Sequence, residues 1–466
     1  MKKLAFIALA LILMGCQQKQ QMPQGEKIES QPIETYTGTT KEALDLVQTV
    51  APYISLTFNG MGDEATMDAI LAQLQQSNIK ATFFLPAIRV AEQPEIAKKI
   101  MAAGHEVESN LLNDVDHTKL TYEQLYEEVA LANDVFTKQL ERTPRYVRTR
   151  SGDVPEDLPK VVAQLGMERA VTGYINPLDR NMQSAEEIAT YVQKYLTRGS
   201  TIMLNSAVNP EVIKAIPLIA DAAKNKQYEF VTIDTLSKEQ NKIKPLEEIA
   251  GYDAIQINKD YENVVPHMFT TADTQSRQVA LTFDDWASED TVLRILDILD
   301  EYQIKATFFI IGHAVEKNPA LARIILNRGH DVASHSYGHK DLRTMTPEEI
   351  QDDMVKAHHA ITEALQEQPK LYMRPAQGLI TDEIAKIVSA TGYQMIALYD
   401  IASFDWNPEL TRDDIVSRVL TRVQPGSVIV MHIMDNRKTA EALPIIIERL
   451  QSQGYAFVKM ADWVEN

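Results

Sequence analysis

The sequence predicts an α/β protein made of two tandem barrel-like units, each alternating strands with helices. Three observations predict it: an internal repeat, short apolar runs that each end in a polar residue, and helical patterns between those runs. The hexapeptide IKATFF occupies 79–84 and returns unchanged at 304–309. ISLTFNG at 54–60 aligns with VALTFDD at 279–285, and AGHEV at 103–107 with RGHDV at 328–332. Self-similarity at a fixed offset marks duplication. A chain of 466 residues also suits two domains better than one. The expected boundaries are 50–240 and 275–466, with a polar linker over 241–274 that contains Pro266 and is either plain or partly packed.

The chain opens with Lys2 and Lys3, an apolar run from Leu4 to Met14, then Gly15 and Cys16. That apolar run is too short for a permanent bilayer span and reads as a signal peptide over 1–16. Leu13-Met14-Gly15-Cys16 resembles the lipobox of bacterial lipoproteins. The resemblance implies cleavage before Cys16, lipidation of Cys16, and a protein anchored outside the cytoplasm to the bacterial membrane. The alternative is an ordinary secretory signal with a chance cysteine. Cys16 is the sole cysteine, so disulfides and thiolate metal sites are excluded. Residues 17–49, rich in Gln, Lys, Glu, Pro and Thr, read as a flexible tether. A net charge of −19 and a pI of about 5.0 argue against nucleic acid as a partner.

In the second copy, Val279–Phe283 is an apolar run suited to a buried parallel strand, and it ends in Asp284 and Asp285. Two adjacent acids repel each other and lose hydration unless something neutralises them. A bound cation is one remedy; a solvated turn is the other reading. Val292, Ile295, Leu296 and Leu299 recur at helical spacing after Ser288. Thr346, Pro347 and Glu349 form a helix start, and Gly392 fits the end of a helix beginning near Thr381. Further short runs lead into His335, Arg374 and His432. Chemistry at the end of most strands is the pattern of a barrel; an open doubly wound sheet, the alternative, gathers its site at one switch point.

His335 and His339 stand four residues apart. Two imidazoles and one carboxylate would leave a divalent ion an open position for water. An HxxxH pair alone is weak evidence. The repeat supplies a contrast: Asn59, Gly60, Asn110, Asp114 and Asn205 stand where the second copy has Asp284, Asp285, His335, His339 and His432. Arg148 and Asp179 match Arg374 and Asp405. The first copy keeps the apolar scaffold and loses nearly every group that binds metal or moves a proton.

TFDD at 282–285, HSYGH at 335–339, RPAQG at 374–378, DW at 405–406 and VMH at 430–432 fall in the order of five motifs of the polysaccharide deacetylases, the NodB-homology enzymes of carbohydrate esterase family 4. The second copy resembles this family throughout, and the first resembles a degenerate member. The resemblance implies distorted, TIM-related (β/α)-barrels and hydrolysis of N-acetyl groups on sugars. Asp285, His335 and His339 would hold the metal, usually Zn2+ in such enzymes, with Co2+, Mn2+ or Ni2+ also serving. Asp284 would be the general base and His432 the general acid. Arg374 would orient Asp284, and Asp405 would tune His432. Trp406 and Val430 would line the acetyl pocket, and a backbone N–H near Gln377 would face the developing oxyanion. Trp286 departs from the family's glycine, and Ala376 and Gln377 from its Pro and Tyr, which affects subsite shape more than reaction type. The implied substrate is acetylated envelope glycan, with peptidoglycan N-acetylglucosamine foremost. A non-catalytic glycan-binding lipoprotein and an O-acetyl esterase are the competing functions. The first copy is expected to fold without a catalytic metal.

Overall fold

A computed structural model describes residues 33–113 and 115–465. The signal peptide, Cys16, residues 17–32 of the expected tether, Asp114 and Asn466 lie outside the described residues. Among those described, no helix is long and apolar enough to cross a membrane.

The first copy carries parallel strands β1 (Tyr53–Asn59), β2 (Thr82–Leu85), β3 (Glu106–Ser109), β4 (Tyr146–Val147), β5 (Arg169–Ala170), β6 (Thr201–Asn205) and β7 (Glu229–Phe230). Their order is β5-β4-β3-β2-β1-β6, with β7 also on β1. The second copy carries β8 (Met268–Phe269), β9 (Gln278–Asp285), β10 (Thr307–Ile310), β11 (Asp331–Ser334), β12 (Tyr372–Met373), β13 (Met395–Ala397), β14 (Ile401–Ala402), β15 (Val428–Ile433) and β16 (Ala456–Val458). Their order is β14-β15-β9-β10-β11-β12-β13-β8, with β16 also on β9. Both sheets curl into half-barrels covered by helices. The predicted helices form over Glu289–Glu301 and Pro347–Leu365, the latter with the Thr346–Glu349 capping box; a third runs Asp382–Ala390 behind Thr381.

Strand β9 shows why the barrel forms. Val279, Leu281 and Phe283 pack outward against helix residues such as Ile295 and Ile446. Ala280 packs inward with Phe309, Tyr372 and Met460. Successive side chains alternate faces, so a strand buried on both sides reads as continuously apolar. Thr282 and Asp284 continue the inner row to the mouth.

The expected tether is corrected. Residues 33–49 do not behave as a tether: Leu44 and Val47 are fully buried in the first barrel's interior, and Leu44 bridges to Val171. The linker is likewise structured, since β8 pairs with β13 and Ile255 is buried against the helix 347–365 region. The two segments are themselves copies. Val47 N donates to the Gly199 carbonyl, and Ala272 N to the Gly426 carbonyl, at 3.0 and 2.9 Å. A Cβ on either glycine would lie 2.0–2.1 Å from the Val47 or Ala272 carbonyl oxygen, and both have positive φ. Each barrel therefore begins with a lead segment that reaches across its rim, earlier than the sequence repeat suggests.

Candidate active site

Strand register builds the site. Asp284 lies beside His432 in the β9–β15 pairing. His335 follows β11 directly, and Arg374 follows β12. Simple alternation would send Asp285 to the opposite face from Asp284. Its φ of 79° turns the chain and keeps its carboxylate at the same mouth. Ser336, His339, Gln377 and Phe404 also have positive φ. Non-glycine residues in this region store about 1–3 kcal/mol each and cluster where a site demands a particular geometry.

Arg374 is fully buried and anchors the floor. Its Nη1 donates to Asp284 Oδ1 at 2.7 Å and to Thr282 Oγ1 at 2.8 Å. Its Nε and Nη2 donate to the Ala397 and Leu398 carbonyls, both at 3.2 Å, and its plane lies over the Phe309 ring. Burial works against a charge on Asp284, but Arg374, then His335 and His432, outweigh it. They hold this carboxyl below the usual carboxylate range.

His335 Nδ1 contacts the Arg374 carbonyl at 2.8 Å. A carbonyl only accepts, so Nδ1 carries the proton and Nε2 presents a lone pair. Burial pushes this ring's pKa down, which favours the neutral form. Its Nε2 is 3.7 Å from Asp285 Oδ1, and His339 Nε2 is 3.3 Å from the same oxygen. One ligand atom from each of Asp285, His335 and His339 lies within 4.8 Å of the others. Asp285 Oδ1 is buried and has no hydrogen-bond partner. An orphaned carboxylate oxygen facing imidazole nitrogens is the arrangement that a cation completes, so these residues fit a divalent ion.

Across the mouth, His432 Nδ1 contacts Asp405 Oδ1 at 2.7 Å, which leaves its Nε2 free to face the cleft. Asp405 is held in turn: its Oδ2 accepts from the His432 backbone N–H at 2.8 Å and from Thr439 at 2.6 Å, and its Oδ1 from Ser403 at 2.9 Å. Burial works against the imidazolium, but Asp405, then Asp284 and Asp285, outweigh it. The ring's pKa lies above its ordinary value.

These groups open onto a cleft of about 510 Å³, walled by Gln377, Leu379, Tyr399, Phe404, Trp406 and Met434. Asp284, Asp285, His335, His339, Arg374, Asp405 and His432 are thus brought together, and Trp406 and Gln377 reach the wall. Val430 does not. It lies two residues before His432 on the same face, one pleat deeper, and is buried below the cleft. The walls contributed by Tyr399, Phe404, Leu379 and Met434 had no sequence signal, because isolated apolar loop residues follow no period. His330, His313 and His358 have structural partners elsewhere: His330 Nδ1 accepts the Ala306 N–H, and the other two contact the Tyr337 and Gly251 carbonyls.

In the first copy Asn59 pairs in register with Asn205, as Asp284 does with His432. Met203, the counterpart of Val430, packs against Gly152 and Gly173 and brings Sδ to 3.5 Å from Asn59 Nδ2.

A half-barrel of parallel strands with paired acids and imidazoles at its mouth defines a hydrolase-type site. Comparison with known families agrees: residues 47–170 and 271–396, together more than half of the chain, each match the polysaccharide deacetylase family. The chain belongs to this family, as a tandem pair. It is 30% identical over 196 residues to the peptidoglycan-N-acetylmuramic acid deacetylase PdaA of Bacillus subtilis, covering 42% of this chain and 74% of that protein. It is 30% identical over 188 residues to a peptidoglycan-N-acetylglucosamine deacetylase of Bacillus cereus, covering 40% and 86%. Among solved structures, a family 4 carbohydrate esterase pseudoenzyme from Bacillus anthracis is 28% identical, with a TM-score of 0.40 and coverage of 44% and 70%.

Proposed function

We propose that the protein is a metal-dependent N-deacetylase of cell-envelope glycan, acting on peptidoglycan N-acetylglucosamine. One observation carries this reading: Asp284 held by Arg374 and His432 held by Asp405 face one cleft, with Asp285, His335 and His339 beside them. Hydrolysis of an acetamido group adds water to the carbonyl carbon and breaks the C–N bond, releasing acetate and a free amine. Asp284, ionised at neutral pH, accepts the proton of the attacking water. Arg374 fixes one carboxylate oxygen, and Oδ2 remains for that proton. His432, whose pKa Asp405 raises, delivers a proton from Nε2 to the departing nitrogen. A divalent ion held by Asp285, His335 and His339 would polarise the carbonyl and make the water more acidic. This donor set suits zinc, and cobalt, manganese or nickel also fit. Trp406 and Phe404 offer faces for a sugar ring, and the Gln377 turn forms the opposite wall.

The relatives' named substrates support an envelope glycan. The cleft walls carry no lysine or arginine among the described residues. That supports the neutral N-acetylglucosamine over a sugar that bears a lactyl carboxylate, for which these walls offer no lysine or arginine partner. The lipobox-like stretch ending at Cys16 supports an extracytoplasmic, lipid-anchored location beside the wall. The test is acetate release from peptidoglycan and chito-oligomers by purified protein, with amide and ester substrates side by side. Release that needs added zinc or cobalt and stops with a chelator is the expected result. No release from any glycan with any of the four ions would overturn the proposal.

A further inference from the structure

Asp285 depends on a short loop, Trp286–Ser288, that joins β9 to the helix Glu289–Glu301. Pairing with Ile433 holds Asp285 on the strand side, and this loop holds its left-handed φ on the other. The loop's far end has two anchors. One belongs to the second copy: Asp435 accepts from Ser288 N at 3.2 Å and from the Ser288 and Thr291 hydroxyls. The other comes from the first copy. Tyr174, just beyond β5, packs against the hydrophobic cores of both barrels, and Trp286 and Ala287 pack against the same second core. Its backbone N–H is tied to Thr201 Oγ1 at 3.0 Å, so the ring projects from a fixed rim. Its hydroxyl faces the Glu289 carboxylate, which also accepts from Asn318 Nδ2 at 3.4 Å.

We propose that Tyr174 is a positioning residue for the second copy's ion site. It braces the Trp286–Glu289 segment and so holds Asp285 where it meets His335 and His339. The degenerate copy then serves the site without touching substrate. This rests on the ion-binding reading above.

The rest of the seam between the copies provides a control. Asn327 Nδ2 donates to Thr197 Oγ1 at 2.8 Å, and Asp297 receives Tyr195 and Lys194 at 2.8 and 2.9 Å, away from the loop. The experiment titrates the full chain with cobalt(II) and follows the ligand-field absorption, with no substrate present. Tyr174→Ala is expected to weaken cobalt binding about tenfold, the lower end of what outer-shell partners contribute. Tyr174→Phe, which keeps the ring, should show a smaller loss, and Asn327→Ala no change. Equal cobalt affinity in wild type and a folded Tyr174→Ala would overturn the proposal. Equal weakening in Asn327→Ala would do so too, by showing a general effect of the seam. Failure of the wild type itself to bind one cobalt per chain would instead sink the ion-binding reading.

Discussion

At the mouth of the first barrel, Asn110 Nδ2 donates to the Arg148 carbonyl at 2.7 Å; at the mouth of the second, His335 Nδ1 meets the Arg374 carbonyl at 2.8 Å. Asn205 Nδ2 donates to Asp179 Oδ1 at 2.6 Å, where His432 Nδ1 meets Asp405 Oδ1 at 2.7 Å. Arg148 holds Thr57, two backbone carbonyls and Asn59, as Arg374 holds Thr282, two carbonyls and Asp284. Each asparagine keeps the structural hydrogen bond of the histidine it matches. What it lacks is the second ring nitrogen, the one that faces the cleft. The scaffold of the site and its chemistry are therefore separable, residue by residue.

The sharpest way to break this comparison is to make the second copy imitate the first. Asp284→Asn reproduces Asn59 and leaves Arg374 with the same kind of partner that Arg148 has. Loss of a general base typically removes about 10²–10⁴-fold in rate, and acetate release should fall into that range. Folding should survive, because the first copy already shows an asparagine in that cradle. Turnover within about threefold of wild type would mean that Asp284 is not the base.

Asp285→Gly tests the opposite balance. Gly60 occupies this position in the first copy with φ 81°, nearly the 79° of Asp285. A glycine adopts that conformation without strain, and its introduction removes both an orphaned buried oxygen and the repulsion from Asp284. The variant should lose stoichiometric zinc binding in calorimetry. In the absence of metal it should unfold at higher urea than wild type, by about 1 kcal/mol. An apo-protein that is less stable after this change would show that Asp285 supports the fold rather than straining it.

These contrasts explain what the sequence made visible. Asp284, Asp285, His335, His339, Arg374, Asp405 and His432 converge as expected, because strand ends of a barrel meet whatever their separation along the chain. The repeat showed which of them the first copy replaces. The lead segments were hidden. Met268 and Phe269 form a strand of two residues, too short for any alternation to register, and Leu44 and Val47 sit among polar neighbours whose composition resembles a linker. Their burial is decided by the rim glycines Gly199 and Gly426, which admit the passing chain. The positive φ of Asp285 was equally hidden, since nothing in a pair of aspartates announces a left-handed turn. Tyr174 gave no signal because part of its packing lies in the other copy.

A shared feature sharpens the comparison from the other side. His105 Nδ1 accepts the Ala81 N–H at 3.2 Å, and His330 Nδ1 accepts the Ala306 N–H at 3.1 Å. Burial pushes both rings down, to about 4 and about 3. The unfolded chain takes up protons on these rings near pH 6.5, and the folded chain does not until much lower pH. Stability from this source is complete above about pH 6.5 and is lost as pH falls from there toward about 4 in the first copy and about 3 in the second. Urea midpoints should therefore decline over this range whether or not metal is present. His330→Gln should flatten the slope while lowering stability at neutral pH. An unchanged slope in that variant would assign the acid sensitivity to other groups.

Met203 marks a further difference between the two mouths. Its counterpart Val430 is shorter and stays below the second copy's cleft, whereas Met203 fills space between Asn59, Gly152 and Gly173. Met203→Val should leave a cavity there and lower stability by about 1–2 kcal/mol, as truncations of buried side chains do. The vacated space restores room for an acetyl group but no base, acid or ion ligand beside it, because Asn59, Gly60 and Asn205 remain. Acetate release should thus be unchanged, and a variant already disabled by Asp284→Asn should gain nothing when Met203→Val is added. Activity appearing in that double variant would place a working site in the first copy, and with it the separation of scaffold from chemistry would fall.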